Sequence, residues 1–211
     1  MKAADWDARY QESDLVWSGE PNCWVEHIVR PLPPGRALDL AAGEGRNALW
    51  LVERGWEVHA SDFSPVAVRR IEALADARLG SRRRWLSTEA ADATESASVT
   101  GCDLVVLSYL HLPKTQWRAA LACAVAALKP EGILLVVAHA RRNLTEGIGG
   151  PQDPDILYDP RDIVAELEEH PVEIVSADLR YRTVVTEGGD RQALDTVVVA
   201  RALSHKAVSV A

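Results

Sequence analysis

The stretch from Arg36 to Asp62, RALDLAAGEGRNALWLVERGWEVHASD, constrains this chain more than any other. Ala37, Leu38, Leu40 and Ala41 form a short apolar run suited to a strand buried on both faces. The chain then turns through Ala42-Gly43-Glu44-Gly45, where absent Cβ atoms permit a tight turn and let a ligand lie against the backbone. Ala48, Leu49, Leu51 and Val52 supply the apolar face of a helix that Gly55 stops. Trp56, Val58 and Ala60 alternate with polar residues as a second strand ending at Asp62. The product is a βαβ half-unit with a glycine turn at the end of its first strand and a carboxylate at the end of its second. Open α/β sheets bind nucleotide-like ligands at that edge.

The ligand is narrowed by two details. Gly43-x-Gly45-x-x-Ala48 fits the loose dinucleotide fingerprint, and Asp62 stands 19 residues after Gly43, near the place of a ribose-binding acid. Asp39, however, sits inside the end of the first strand, where dinucleotide folds usually carry an apolar residue. The pattern Asp39-x-Ala41-x-Gly43-x-Gly45 resembles motif I of the class I S-adenosylmethionine (SAM)-dependent methyltransferases, D/E-x-G-x-G-x-G, with Ala41 replacing the first glycine.

The remaining chain is consistent with one α/β domain. At 211 residues it can bury an ordinary core. Its 47% hydrophobic and 26% charged content are those of a soluble globular protein. A net charge of −8 disfavours a nucleic-acid backbone as partner, because phosphate binding needs a clustered positive field. Arg82-Arg83-Arg84, the one tight basic run, is expected to be a solvated strand entry. Cys23, Cys102 and Cys123 show no paired spacing, as expected of reduced thiols in the cytoplasm. The six histidines lack ligand spacing, so no metal is expected. No apolar run approaches the ~20 residues that span a bilayer, and the polar start MKAADWDARY does not resemble a signal peptide.

Residues 1–35 read as an arm containing a short helix, a loop and a helix from about Asn22 to Arg30, stopped before Leu32-Pro-Pro-Gly35. Ser64 and Pro65 open a helix to about Leu79. Arg84-Trp85-Leu86 is the expected third strand and Thr88 to Thr100 a loop with one helical turn. Asp103 to Leu107 is a buried strand, Pro113 to Leu128 a helix, Lys129-Pro-Glu-Gly132 a turn, and Ile133 to Ala138 another buried strand. The span from His139 to Pro160, rich in glycine and proline, is a long loop of the kind that is usually functional. Asp159-Pro160 opens a helix to about His170, and Val172 to Val185 pairs with Ala193 to Ala200 across Glu187-Gly-Gly-Asp190.

This order, with Leu128-Lys-Pro-x-Gly-x-Leu134, strengthens the likeness to class I methyltransferases, and W-D-x-R-Y, Trp17 and Pro21-Asn22 resemble a small-molecule group related to tellurite-resistance and thiopurine methyltransferases. The resemblance implies an α/β Rossmann-like fold: a seven-stranded, mostly parallel sheet with a C-terminal antiparallel hairpin and helices on both faces. One domain would comprise the arm (1–35), a SAM-binding core (36–140), a lid loop (141–160), and a closing helix with hairpin (161–203). It implies SAM as cofactor, a small-molecule acceptor, and a monomer or homodimer that binds neither membrane nor nucleic acid.

The resemblance also assigns roles. Asp39, Ala41, Gly43 and Gly45 would hold the methionine part of SAM, with Arg46 and Asn47 touching its carboxylate or the arm. Asp62 would accept both ribose hydroxyls, a task suited to an acceptor-only carboxylate. Phe63, Ala91, Asp92 and Ala93 would frame the adenine, Asp92 being preferred to Glu89 as acceptor from N6. Ser108 would line the cofactor site, with Tyr109 or His111 removing an acceptor proton. Trp6, Tyr10, Trp17, His139 and Arg141 would bind the acceptor, and a cover made of the arm and the 141–160 loop would close over it. Two other readings remain open: a non-catalytic SAM sensor and an NAD-dependent oxidoreductase.

Overall fold

A computed structural model describes residues 19–95 and 98–204. Seven strands form one sheet: β1 (Arg36–Leu40), β2 (Glu57–Asp62), β3 (Leu86–Ala90), β4 (Cys102–Ser108), β5 (Leu128–His139), β6 (Val172–Thr186) and β7 (Gly189–Ala202). Their spatial order is β3-β2-β1-β4-β5-β7-β6. The pairs from β3 to β5 are parallel, whereas β7 runs antiparallel to both β5 and β6. The Rossmann-like sheet and its closing hairpin are therefore as the sequence implies. The reversal of order between β1 and β4 opens the crevice in which such sheets bind ligands.

Strand alternation divides the core into two layers. On one face Ala37, Val58, Ala60, Leu104, Val106, Leu135 and Val137 pack against the helices α1 (Cys23–Val29), α2 (Arg46–Glu53) and α3 (Pro65–Arg78). On the other, Leu38, Leu40, Val105, Leu107, Leu134 and Val136 meet α4 (Lys114–Ala127) and, past the 139–160 segment with its one-turn α5 (Asn143–Glu146), α6 (Pro160–Leu167). Trp117 on α4 is fully buried and stacks on Tyr158, their ring centres 5.0 Å apart.

Helix starts follow the expected chemistry. Asn22 caps α1 by accepting from the Trp24 and Val25 N–H groups. Ser64 accepts from Ala67 N–H ahead of Pro65. At α6, Asp159 and Asp162 form a capping box around Pro160.

Two boundaries differ from expectation. The third strand is Leu86–Ala90, and Gly80–Trp85 forms a 3₁₀ turn leading into it, so Arg82, Arg83 and Arg84 lie on the solvated entry to the strand and not within it. β3 is an edge strand, and its polar side chains are satisfied laterally: Thr88 donates to Glu72 and Ser87 bonds His59. Weak β character was thus no bar to strand formation. Lys129–Gly132 keeps its turn-like character inside β5, because pairing with β4 steps from Cys102↔Leu128 to Leu104↔Ile133.

The 139–160 segment is more ordered than a plain loop. Asn143 is buried; its Oδ1 accepts from Leu194 N–H at 2.7 Å and its Nδ2 donates to the Ile148 and Gly149 carbonyls. Gly147 has extended backbone, and its value is space: a Cβ there would land on the Asn143 side-chain oxygen. Asn143→Ala should lower unfolding free energy by about 2–4 kcal/mol, since it deletes three bonds and strands the Leu194 N–H. Gly147→Ala should reproduce part of that loss by displacing the amide. Chemical denaturation of the two variants checks both.

Candidate active site

The turn after β1 is built on left-handed backbone. Ala41, Gly43 and Gly45 have φ of 61°, 58° and 80°. Ala41 therefore departs from the glycine pattern at a real cost, since its Cβ must tolerate a conformation that glycine adopts freely. Gly45 is doubly constrained, because a Cβ there would approach Ile71 Cγ1 to 2.8 Å. The turn delivers the start of α2 to the sheet edge with no side-chain cap at Gly45.

Asp62 ties that turn to the tip of β2. Its Oδ2 accepts from Gly43 N–H at 2.9 Å and its Oδ1 from Ser64 N–H at 3.0 Å, while its own carbonyl accepts from Ala91 N–H. One residue thus joins the ends of β1, β2 and β3. A carboxylate has about four acceptor sites, so two backbone donors leave room for hydroxyl donors of a ligand.

Asp39 lies one layer beneath, 1% exposed, and its Oδ2 has no hydrogen-bond partner. Burial pushes its carboxyl up to about 7, against the opposing pull of the Ala48 backbone N–H and the Arg46 guanidinium. Among the described residues six buried side-chain polar atoms lack a partner, and five of them lie at or beside this edge: Asp39 Oδ2, Ser61 Oγ, Ser108 Oγ, His139 Nδ1 and Asp195 Oδ1. His139 Nδ1 and Asp195 Oδ1 face each other at 3.3 Å. Asp39 Oδ2, Ser61 Oγ and Ser108 Oγ are left as costly buried atoms unless something polar meets them, which makes this edge the candidate ligand site.

Around the neighbouring strand ends, Phe63 is half-buried, Ala93 is buried and Asp92 is exposed on the turn after β3. Asp92 Oδ1 accepts from the Thr94 N–H and hydroxyl, both at 2.8 Å. Glu89 instead engages Ser98 and His59. It has less freedom to serve a ligand than Asp92.

Beyond β4 the chain builds an aromatic and ionic cluster. Tyr109, at φ 57°, stacks on His139 with ring centres 4.7 Å apart, and His111 lies 5.4 Å from His139. At its centre is Asp195 of β7, fully buried and in register with His139. Asp195 Oδ2 accepts from the Tyr109 hydroxyl, Trp24 Nε1 and Arg182 Nε, each at 2.9 Å. Burial alone would raise this carboxyl, but hydrogen bonds from His139 and Arg182, with the guanidinium charge, hold it below its ordinary value. Arg46 and Arg182 both lie against the Tyr109 ring, with guanidinium carbons 5.7 and 5.9 Å from its centre.

This geometry revises several expected roles. His111 Nε2 accepts the His139 backbone N–H at 3.2 Å, and burial pushes the ring down to about 3; it is a structural imidazole. Tyr109 donates its proton to Asp195, and burial beside that carboxylate raises the phenol further, which suits it to binding and not to accepting protons. Arg141 does not face an acceptor: its guanidinium reaches Asp162 and Asp159 and the carbonyl of Leu157, fastening the 141–160 segment to α6. Asn47 is not among the revised roles: it accepts from Asn22 N–H and so touches the arm, one of its two expected contacts. Trp6, Tyr10 and Trp17 fall outside the described residues.

Sequence reasoning passed over Asp195, Arg182 and Asn22. The signal for Asp195 was a lone carboxylate inside the apolar run Ala193 to Ala200.

The fold, the left-handed glycine turn and the two acids resemble those of methyltransferase domains of the class I type. Residues 37–132 match the family model described as a methyltransferase domain, and the chain resembles the SAM-dependent methyltransferases. YqeM of Bacillus subtilis (strain 168) is 31% identical over 147 residues, covering 64% of this chain; the chain spans 57% of that protein's length. Three solved structures are similar in fold. One, from work on the conversion of a disulfide bond into a thioacetal group during echinomycin biosynthesis, has a TM-score of 0.76 at 22% identity, covering 97% of this chain and 94% of the other. TehB from Haemophilus influenzae scores 0.67 at 16% identity, over 95% and 67%. The Burkholderia thailandensis 1,6-didemethyltoxoflavin-N1-methyltransferase, with 1,6-didemethyltoxoflavin and S-adenosylhomocysteine bound, scores 0.68 at 20% identity, over 96% and 87%.

Two outcomes follow from the two acids. Asp62→Ala should lower SAM affinity at least tenfold, because bonds to a charged acceptor contribute about 1.5–3 kcal/mol each. It should also lower the melting temperature, because Gly43 N–H loses its partner; calorimetry with and without SAM reads both. Asp39, ordinarily near 3.8 and raised to about 7 in the folded protein, holds its proton more tightly when folded. Its contribution to the stability of the ligand-free protein is therefore complete below the ordinary value and lost as pH rises through about 7. Asp39→Asn should flatten that part of the pH–stability curve.

Proposed function

We propose that the protein transfers the methyl group of SAM to a small-molecule acceptor. The observation that carries this reading is the pairing of a buried, unpartnered Asp39 oxygen with Asp62 on either side of a left-handed glycine turn. SAM supplies a methyl group already activated on a sulfonium, so the protein's work is to align the acceptor and exclude water. Asp39 answers the ammonium of the methionine part, Asp62 the ribose hydroxyls, and Asp92 the adenine N6, with Phe63, Ala91 and Ala93 as walls. Arg46 and Ser108 line the route from the glycine turn toward Tyr109.

A small acceptor is supported by charge and by enclosure. The net charge of −8 gives no field for a polyanion. The neighbour solved with 1,6-didemethyltoxoflavin shows that a fold of this kind can hold a compact heterocycle. The cluster of Trp24, Tyr109, His139 and Arg182 offers a similar scale of polar and aromatic surface here. The segment after β5, held by Asn143 and Arg141, is the proposed cover on the described side of the site. Cys23, Cys102 and Cys123 are all free thiols, in keeping with a cytoplasmic setting. The working assembly is a monomer or homodimer.

Isothermal titration with SAM, S-adenosylhomocysteine and NAD tests the cofactor, and labelled SAM with a panel of thiols, phenols, amines and oxyanions tests the transfer. SAM and S-adenosylhomocysteine should bind and NAD should not. Asp92→Asn should weaken SAM moderately, whereas Glu89→Gln should leave it alone, because Glu89 is engaged by Ser98 and His59. Asn143→Ala, which loosens the cover, should lower turnover far more than SAM affinity. NAD binding in place of SAM, or SAM binding without transfer to any member of the panel, would show the reading to be wrong.

A further inference from the structure

We propose that His139, oriented by Asp195, is the general base that takes the acceptor's proton during methyl transfer. The proposal rests on the reading of the site as a methyltransferase. It identifies the acceptor as a molecule that brings a proton on its nucleophilic nitrogen, oxygen or sulfur.

His139 is selected by the hydrogen bonds around it. Its neighbours are each unable to take a proton from a ligand. The Tyr109 hydroxyl already donates to Asp195, His111 spends Nε2 on a backbone N–H, Arg182 is a permanent cation and Asp195 has no exposed surface. His139 differs. Its Nδ1 is buried 3.3 Å from Asp195 Oδ1, and neither atom has another partner. With the proton on Nδ1 facing the carboxylate, the basic nitrogen is Nε2. The separation is longer than a well-directed hydrogen bond, as is common for catalytic contacts before substrate arrives.

The position is equally specific. His139 ends β5, its ring stacks on Tyr109 from the adjacent β4 end, and Arg46 at the start of α2 lies against that same tyrosine. A continuous path of contacts therefore runs from the glycine turn to His139. The ring's Cδ2–Nε2 edge meets Gly150, at φ 76°, where a Cβ would come within 2.6 Å of Cδ2 and 2.9 Å of Nε2. Only glycine lets the covering segment lie this close to the base, and shifting it opens the same edge to an acceptor. The side chain as a whole retains 13% exposure.

In the step itself, the acceptor's lone pair forms a bond to the methyl carbon while the methyl–sulfur bond breaks, its electrons remaining on sulfur. The acceptor's proton moves to His139 Nε2. The resulting imidazolium is stabilised by Asp195 and later releases its proton to water. The charged and titratable groups around His139 are Asp195 from β7, Tyr109 and His111 from the segment after β4, and Arg182 from β6 acting through Asp195.

Nitrogen-15 NMR of the histidine rings in the ligand-free protein tests the assignment directly, with the His139 signals identified by their loss in His139→Gln. In the neutral ring Nδ1 should carry the proton and Nε2 should be bare, and Asp195→Asn should move the tautomer balance toward Nε2–H. In turnover, His139→Gln should slow methylation of 2-mercaptoethanol, a thiol largely protonated at neutral pH, by roughly 10²-fold or more. It should spare 4-nitrothiophenol, which is already largely ionised, and leave the SAM dissociation constant within about twofold. A proton on Nε2 in place of Nδ1, or equal slowing of both thiols, would overturn the assignment. Should neither thiol be methylated, the ring measurement decides alone. Failure of the native protein to bind SAM would instead overturn the methyltransferase reading, and the two failures are thus distinct.

Discussion

The Asp62 carboxylate, accepting from Gly43 N–H on one side and Ser64 N–H on the other, is the interaction on which the site depends. β1 and β2 are parallel neighbours, and nothing in a parallel ladder fixes the course of the chain once each strand ends. The bond from Gly43 supplies that constraint. It holds a turn with three left-handed residues, one of them an alanine, in a single conformation. The Ala91 N–H donated to the Asp62 carbonyl extends the same constraint to β3. A residue expected to bind a ligand therefore also shapes the surface the ligand meets, and the capping and binding readings of Asp62 are two uses of one group. Its four acceptor sites make both compatible.

A second constraint lies on the opposite side of the crevice, where buried charge is used in place of apolar packing. Asp195 is fully buried on β7, the strand next to the edge of the sheet, and satisfies its carboxylate with Tyr109, Trp24 and Arg182. Those donors come from α1, the β4 end and β6, so one buried acceptor links three elements that hydrophobic burial alone would leave free to slide. Deleting one partner would leave an uncompensated buried charge, a far larger penalty than the net value of any single bond. Stability and site geometry are thus coupled: the cluster that we propose receives the acceptor also locks the closing hairpin to the sheet.

The fold was legible because its signals are local. The runs at Ala37–Leu40, Asp103–Leu107 and Ile133–Ala138 read directly as buried strands, and Ser64-Pro65 and Asp159-Pro160 opened helices as capping chemistry requires. β3 was displaced because an edge strand satisfies itself with polar side chains and needs little apolar content, so Ser87, Thr88 and Glu89 carried no strand signal. The glycine turn, Asp39 and Asp62 were placed by spacing along one βαβ unit, and they are brought together as that spacing implies. The acceptor side was not legible in the same way. His139 and Asp195 are 56 residues apart in sequence and meet only through the antiparallel register of β5 and β7. Arg141 looked like a ligand-binding cation from its place after β5, yet its partners Asp159 and Asp162 arrive only when the following segment folds back onto α6.

That folding back shows how a long, glycine-rich segment can serve as a cover without being a loose chain. Asn143 and Arg141 are fastened at one end of it, to β7 and to α6. Gly149 and Gly150, at φ 71° and 76°, lie between these anchors and the 3₁₀ turn at Pro154–Ile156. The residues whose backbone tolerates large changes in φ are thus few, and the bonds on either side of them fix the rest of the segment to the sheet. A cover of the kind we propose would close at the His139 edge at little cost in ordering entropy, because most of the segment is already ordered. The glycine against the imidazole then has a steric consequence: with no Cβ at Gly150, the backbone of the segment can lie in contact with the ring.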